Sequence, residues 1–380
     1  MRIALVHYWL VGMRGGERVL EALLDLYPEA DIFTHVYVPE AVSAKIRAHP
    51  VYTTAIARLP QAARHYRSYL PLMPLALEGL DLSGYDLVIS SESGPAKGVL
   101  VPPGATHLCY CHTPMRYLWD AYPCYRREAS WPIRLLMAPL CHYLRLWDVS
   151  TAARVDAFAA NSIHVARRLA RCYGRRDAIV IHPPVSVSDF DCGRPRGDRY
   201  LFLGELVGYK QPQTAVEACL ALRRPLTVIG GGPLLPEIRR LAKRGDVSVL
   251  GRQPDPVVRE HLSTCRALLF PGEEDFGLVP VEAMASGAPV IALARGGALE
   301  TVLDGQTGVL YQGGTTDALI LAMRRFEQAP AMRPEYLAAQ AARFDVAVFR
   351  RSFAAFAEAA MTQTGAGFRP VQIRVPPQPS

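Results

Sequence analysis

The sequence is short of lysine. Of its 42 basic residues only Lys45, Lys97, Lys210 and Lys243 are lysines; the rest are arginines. A general compositional bias explains the imbalance and makes each remaining lysine worth placing. Concentrated charge is also missing: 42 basic against 35 acidic side chains leave +7 over 380 residues, with no basic tail. That speaks against a dedicated nucleic-acid binder, which needs a basic face, while suiting anionic small molecules or an acidic membrane surface. The eight cysteines include no CxxC pair and no histidine pair at metal-ligand spacing, so they read as reduced, buried thiols in a reducing cytoplasm. Cys109 and Cys111 lie two apart in an expected strand and share a face. The opening MRIALVHYWL lacks the features of a signal peptide. No apolar run reaches the roughly 18–20 residues of a membrane-spanning helix, so a soluble or peripheral chain is expected. The GxGxxG fingerprint is absent, which weakens a dinucleotide-dependent oxidoreductase reading.

What is present is a long alternation of short apolar runs and helical patterns. Arg2–His7, Asp31–Tyr37, Tyr85–Ser90, Thr106–Cys111, Asp156–Ala160 and Ala178–His182 read as strands. Gly16–Tyr27 reads as a helix, and Asn161 or Ser162 caps another. After the turn-rich Pro183-Pro184 and Asp189–Asp198, strands are expected at Tyr200–Gly204, Pro225–Gly230, Val247–Leu250, Ala267–Pro271 and Val290–Ala294. Apolar strands alternating with helices imply parallel sheets covered on both faces, an α/β class. The expected organisation is a Rossmann-like domain over 1–186, a linker over 187–198 and a second such domain over 199–344. A helix over about 345–362 packs back on the first domain, and a disordered tail covers 363–380. Two doubly wound domains facing across a cleft would form one large ligand site at their carboxyl edges.

The segment FPGEEDFGLVPVEAMASGAP, Phe270–Pro289, carries the most chemistry. A strand ends at Pro271, an acidic loop follows, and a helix begins near Gly277. Loop N–H groups at a helix N-terminus suit a diphosphate. Carboxylates beside such a site are useful when they accept hydroxyl hydrogen bonds, so Glu274 and Glu282 point to a ligand with phosphates and many hydroxyls, such as a nucleotide sugar. Gly15 and Gly16 allow close backbone approach between the first strand and its helix. Two stretches, Arg58–Pro74 and Trp131–Trp147, mix arginine with aromatic and apolar residues; both suit an anionic membrane, and the second also reads as an ordinary buried helix pair.

With these residues in place, Glu274-x7-Glu282 within EDFGLVPVEAMASGAPVIA resembles the signature of the family 4 retaining glycosyltransferases. VIGGGP at Val228–Pro233, which contains Gly231, looks like the family's glycine-rich turn. GMRGGERVLEAL at Gly12–Leu23 looks like its N-terminal loop. YCHTPMRYLWD at Tyr110–Asp120 and NSIHVARR at Asn161–Arg168 look like the bacterial O-antigen mannosyltransferase branch. The resemblance covers roughly residues 1–345.

It implies the GT-B architecture and a retaining, metal-independent hexosyltransferase needing no cofactor beyond its nucleoside diphosphate sugar. GDP-mannose is the branch-level donor, and a lipid-linked saccharide at the inner face of the cytoplasmic membrane is the acceptor. Glu274 then contacts the donor sugar and Glu282 the ribose. The backbone of Phe276, Gly277 and Leu278 lies at the sugar and diphosphate, Lys210 neutralises the diphosphate, and His112 lies near the reacting sugar. The family's usual arginine five residues before the lysine is Glu205 here. Glu205 is therefore expected to turn away, with Arg252, or Arg14 and Arg18, supplying the missing charge. Asp189-Phe190-Asp191 has the DxD pattern but falls in the linker. A non-catalytic nucleotide-sugar sensor or GT-B partner subunit is the rival reading, motivated by Glu205.

Overall fold

Where β-branched and small apolar residues run without a polar break, the chain forms strands buried on both faces. The computed structural model describes residues 1–363, and the expected disordered tail falls, apart from Gln363, outside them. The chain divides into two compact units, one of residues 1–182 with the chain from Phe349 onward, the other Pro183–Val348.

The first unit holds β1 (Ile3–His7), β2 (Asp31–Thr34), β3 (Val51–Thr53), β4 (Leu87–Glu92), β5 (Thr106–Cys111), β6 (Ala157–Ala160) and β7 (Ile179–Val180). They pair in parallel in the order β3-β2-β1-β4-β5-β6-β7. The order reverses between β1 and β4, where an open α/β sheet leaves a crevice at its carboxyl edge. The Gly15–Leu26 helix covers one face through buried Val19, Leu20, Leu23 and Leu24. Ser162 caps the helix Ile163–Tyr173 by accepting from the Val165 N–H at 3.0 Å. From the Val346–Gln363 helix, Phe349 and Phe353 pack on Tyr110, with ring centroids at 5.5 and 6.3 Å.

The second unit holds β8 (Tyr200–Leu203), β9 (Leu226–Ile229), β10 (Val247–Gly251), β11 (Leu268–Phe270), β12 (Val290–Leu293) and β13 (Gly308–Tyr311). Its parallel order is β10-β9-β8-β11-β12-β13, with the reversal between β8 and β11. The two ends of this unit meet: the Val185 N–H donates to the Phe344 carbonyl at 2.9 Å, and the Val346 N–H donates to the Val185 carbonyl at 3.1 Å.

The Arg58–Pro74 stretch forms short turns of helix, Ala62–His65, Tyr66–Leu72 and Met73–Glu78. One expectation changes. Trp131–Trp147 is no buried helix pair. It lies in one helix, Trp131–Ala152, that buries only Cys141, Leu144, Trp147, Asp148, Thr151 and Ala152. Its outer residues stay in solvent, with Trp131 77%, Leu135 70% and Leu136 66% exposed.

Beneath that helix lies a buried charged cluster. Lys97 Nζ donates to Glu92 Oε1 at 3.0 Å and also to Asp148, while Trp119 Nε1 donates to Asp148 Oδ2 at 2.8 Å. Burial opposes the lysine's charge, but Asp148 and Glu92 outweigh it and hold the ammonium protonated. The cluster ties the end of β4 to the helix 131–152.

Candidate functional site

In the second unit, three loops leave the carboxyl edge side by side. Residues 204–210 follow β8, residues 230–233 follow β9, and residues 271–277 follow β11. They interlock through bare backbone. Gly230 has φ +148°, and a Cβ there would lie 1.8 Å from the Gly204 carbonyl oxygen. A Cβ on Gly272 would lie 2.6 Å from the Lys210 Cα. Side chains at either position would push these loops apart.

This packing sets Lys210 against Glu274, Nζ to Oε1 at 2.7 Å, with both side chains mostly shielded from water. Burial works against the charge on Lys210, yet Glu274 overcomes it and raises the pKa above its ordinary value. Glu205, which stands where the family pattern has arginine, lies with Oε1 3.6 Å from Arg252 Nη2. The stem of Arg252 covers the glycine-rich turn, since a Cβ on Gly231 would meet its Nε at 2.9 Å. A guanidinium therefore does stand beside this edge, provided from the end of β10.

Gly277, at φ +84°, caps the Leu278–Ala285 helix. Phe276 is buried against Phe344, ring centroids 5.4 Å apart. Its side chain is core, so only its backbone faces the loop. Glu282 lies inside this helix and is half-buried, like Glu274.

In the first unit, the loop after β1 carries Arg14 as the N-cap of the Gly15–Leu26 helix. Arg14 is exposed and Arg18, in the first turn, half-buried. Gly16 lies directly under Tyr8, whose hydroxyl oxygen occupies a point 2.1 Å from where a Cβ would stand. His112 follows β5, held by its own N–H donating to the Glu92 carbonyl at 2.8 Å. Burial, and then nearby His7, depress the imidazole to about 3, so His112 is neutral at physiological pH. Its Nε2 lies 2.9 Å from Ser91 Oγ.

The second unit thus brings together two residues that the sequence reading singled out, Lys210 and Glu274, with the turns beside them. The sequence reading missed His7, Ser91 and Glu17, which surround His112 and the Arg14 loop. The only signal available for them was their position at strand ends and in a first helical turn. Among the described residues, no three His, Cys, Asp or Glu side chains gather as a metal-binding group.

Two family models match. "Glycosyltransferase Family 4" covers residues 13–189, and "Glycosyl transferases group 1" covers residues 197–328. Over these two stretches the chain is similar to the family 4 and group 1 glycosyltransferases. Among relatives, it is 31% identical over 221 residues to a D-inositol 3-phosphate glycosyltransferase of Streptomyces avermitilis, covering 49% of this chain and 47% of the relative. Over 146 residues it is 34% identical to a GDP-mannose-dependent alpha-(1-6)-phosphatidylinositol monomannoside mannosyltransferase of Mycolicibacterium smegmatis, covering 33% of this chain and 38% of the relative. The matches to these curated relatives thus span about half of their length or less. The solved structure of Anabaena Alr3699/HepE with UDP and glucose superposes with a TM-score of 0.71 at 18% identity, covering 94% of this chain and 99% of that one. The shared fold is GT-B, built from two Rossmann-like doubly wound units.

Proposed function

We propose that the protein is a retaining hexosyltransferase that moves mannose from GDP-mannose onto a lipid-linked oligosaccharide in surface polysaccharide synthesis. The observation that carries this is the Lys210–Glu274 pair among the glycine turns, which offers one cation and one acceptor side by side. A nucleoside diphosphate sugar needs both. The diphosphate takes Lys210, the N–H groups at Gly277 and Leu278, and the guanidinium of Arg252. Glu274 accepts from a sugar hydroxyl, and Glu282 accepts from the ribose. GDP-mannose is favoured by the mannosyltransferase relative, although the HepE structure holds UDP.

In the reaction, the bond between C1 and the phosphate oxygen breaks. The acceptor oxygen bonds to C1 on the same face, and its proton passes to a phosphate oxygen of the departing diphosphate. The protein's part is to orient the donor and stabilise the leaving charge, which Lys210 and the helix N-terminus supply without a metal. Within the first unit, the resemblance gives Arg14, Gly15, Gly16 and Arg18 a part in donor binding and His112 a part in positioning a hydroxyl.

The acceptor's lipid places the enzyme at the inner face of the cytoplasmic membrane as a peripheral protein. No described helix is long and apolar enough to cross a membrane. The helix 131–152 instead presents exposed Trp131, Ile133, Leu135 and Leu136. Arg126, Arg127 and Arg134 line a surface cavity of about 390 Å³ beside them. Apolar residues among arginines fit a bilayer of anionic phospholipid.

The experiment is transfer of labelled sugar from GDP-mannose, UDP-glucose and UDP-galactose to extracted membrane lipids. GDP-mannose should give labelled lipid and free GDP. A second reading, a sugar-nucleotide sensor, is kept because Glu205 stands at the edge where the family has arginine. Thermal stabilisation by a nucleotide sugar with neither transfer nor hydrolysis would favour it.

A further inference from the structure

Of the four lysines only Lys97 is fully buried, and the chemistry proposed above does not use it. Burying charge is costly, and well-packed apolar residues in place of a buried ion pair often leave a protein no less stable. Stability alone is therefore a poor reason for sealing Lys97, Glu92 and Asp148 away from water together.

The cluster holds both ends of one segment. A lysine ammonium spreads three N–H donors from a single atom, which the flat fork of an arginine cannot do. Here Nζ reaches Glu92 Oε1 at 3.0 Å, Asp148, and the Tyr173 hydroxyl oxygen at 3.4 Å. Glu92 is the last residue of β4. Its second carboxylate oxygen accepts from the Ala96 and Lys97 N–H groups at 2.9 and 2.8 Å. Its main-chain carbonyl accepts from the His112 N–H at 2.8 Å. Asp148 accepts from Trp119 Nε1 at 2.8 Å. Lys97 thus joins the peptide from which His112 departs to the side chain where the segment 112–120 ends. Between those points Met115 and Leu118 are buried, and Arg168 donates to Thr113 Oγ1 and to Asp120.

We propose that Lys97, acting through Glu92 and Asp148, is a positioning residue for sugar transfer that holds the segment carrying His112 in one conformation. Its use in transfer rests on the function proposed above, while the hold on the segment rests on these bonds alone. Every member of the cluster belongs to the first unit, whereas Lys210 and Glu274 belong to the second. Loosening the cluster should therefore spare donor binding and slow the step that needs His112 in place.

The test uses two variants of the full-length protein. Lys97→Met keeps the stem and removes the ammonium. Trp119→Phe keeps an aromatic ring and removes only the N–H to Asp148, which keeps the test decisive where Lys97→Met fails to fold. Hydrogen exchange, read by mass spectrometry on peptides covering 112–120, should be about tenfold or more faster in each, the scale of one lost charged hydrogen bond. Peptides covering β8 and β11 should be unchanged. In the transfer assay each variant should lose about tenfold or more in kcat per folded molecule, with KM for the donor unchanged. Unchanged exchange at 112–120 in both folded variants overturns the hold. Faster exchange with unaltered kcat overturns the positioning role and leaves the cluster merely structural. Faster exchange in variants of a parent that transfers no sugar overturns the proposed function and the use in transfer, and leaves the hold standing, so the two failures read differently.

Discussion

The Lys210 ammonium and the Glu274 carboxylate stand 2.7 Å apart; under the function proposed above, the cation for the diphosphate is held beforehand by the acceptor for the sugar. Each keeps the other charged and in place in a shielded edge. An incoming donor exchanges this mutual contact for two new ones of the same sign pattern. The site thus meets its ligand with little reorganisation, which is what electrostatic stabilisation of a leaving group requires.

Lys210→Ala should therefore lower kcat by about 10²-fold or more, the scale on which one preorganised charge or donor acts. Glu205→Ala should change it by less than about threefold, because that carboxylate is turned to Arg252. Steady-state kinetics with the preferred donor measures both. A rise of orders of magnitude in Glu205→Arg would mark the native site as degenerate and favour the sensor.

Glu282→Ala should weaken nucleotide binding by about 1–3 kcal/mol, the range for losing a charged hydrogen-bond partner. Calorimetric titration with GDP and UDP reads this. Affinities equal to those of the parent would remove Glu282 from the ribose.

Chelation should leave transfer intact, since Lys210, Arg252 and a helix N-terminus already answer the diphosphate charge. Assays with and without EDTA decide it. Full loss in chelator, restored by Mg²⁺ or Mn²⁺, would refute the metal-free mechanism.

Stability should fall as the pH drops from about 6.5 toward 4. Burial holds the imidazoles of His35 and His107 down to about 4, against 6.5 when unfolded. Between those values the unfolded chain binds protons that the native protein refuses. The native state therefore loses up to about 1.4 kcal/mol per pH unit for each histidine, and the loss levels off below about pH 4. Urea midpoints at pH 7, 6, 5 and 4 should decline in that order, and a flat series would show that neither histidine titrates below its ordinary value.

Both sheets were legible because buried parallel strands write themselves as apolar runs; IALVH at Ile3–His7 and VIAL at Val290–Leu293 are examples. β3 was not, since Val51–Thr53 is a short edge strand with exposed Tyr52 and Thr53. The Lys210–Glu274 pair was legible through the motif around Glu274 and through the scarcity of lysine. The grouping of Glu17, His7 and Ser91 near His112 was not. Its members lie on separate elements, and only the pairing of β1 with β4 and β4 with β5 brings them together. The outer face of the helix 131–152 was misjudged for a related reason: composition reports that residues are apolar, and only packing tells which of them find a partner.

The meeting of Val185 with Phe344 and Val346 has a bearing on how such a protein is altered and inherited. Because both ends of the second unit emerge at one stitched point, residues 183–348 form a closed loop of sequence within the other unit's chain. A replacement of that whole segment needs to respect one small junction rather than two distant ones. Under the function proposed above, donor preference would be exchanged with that segment as a cassette while Phe349 and Phe353 stay seated on Tyr110.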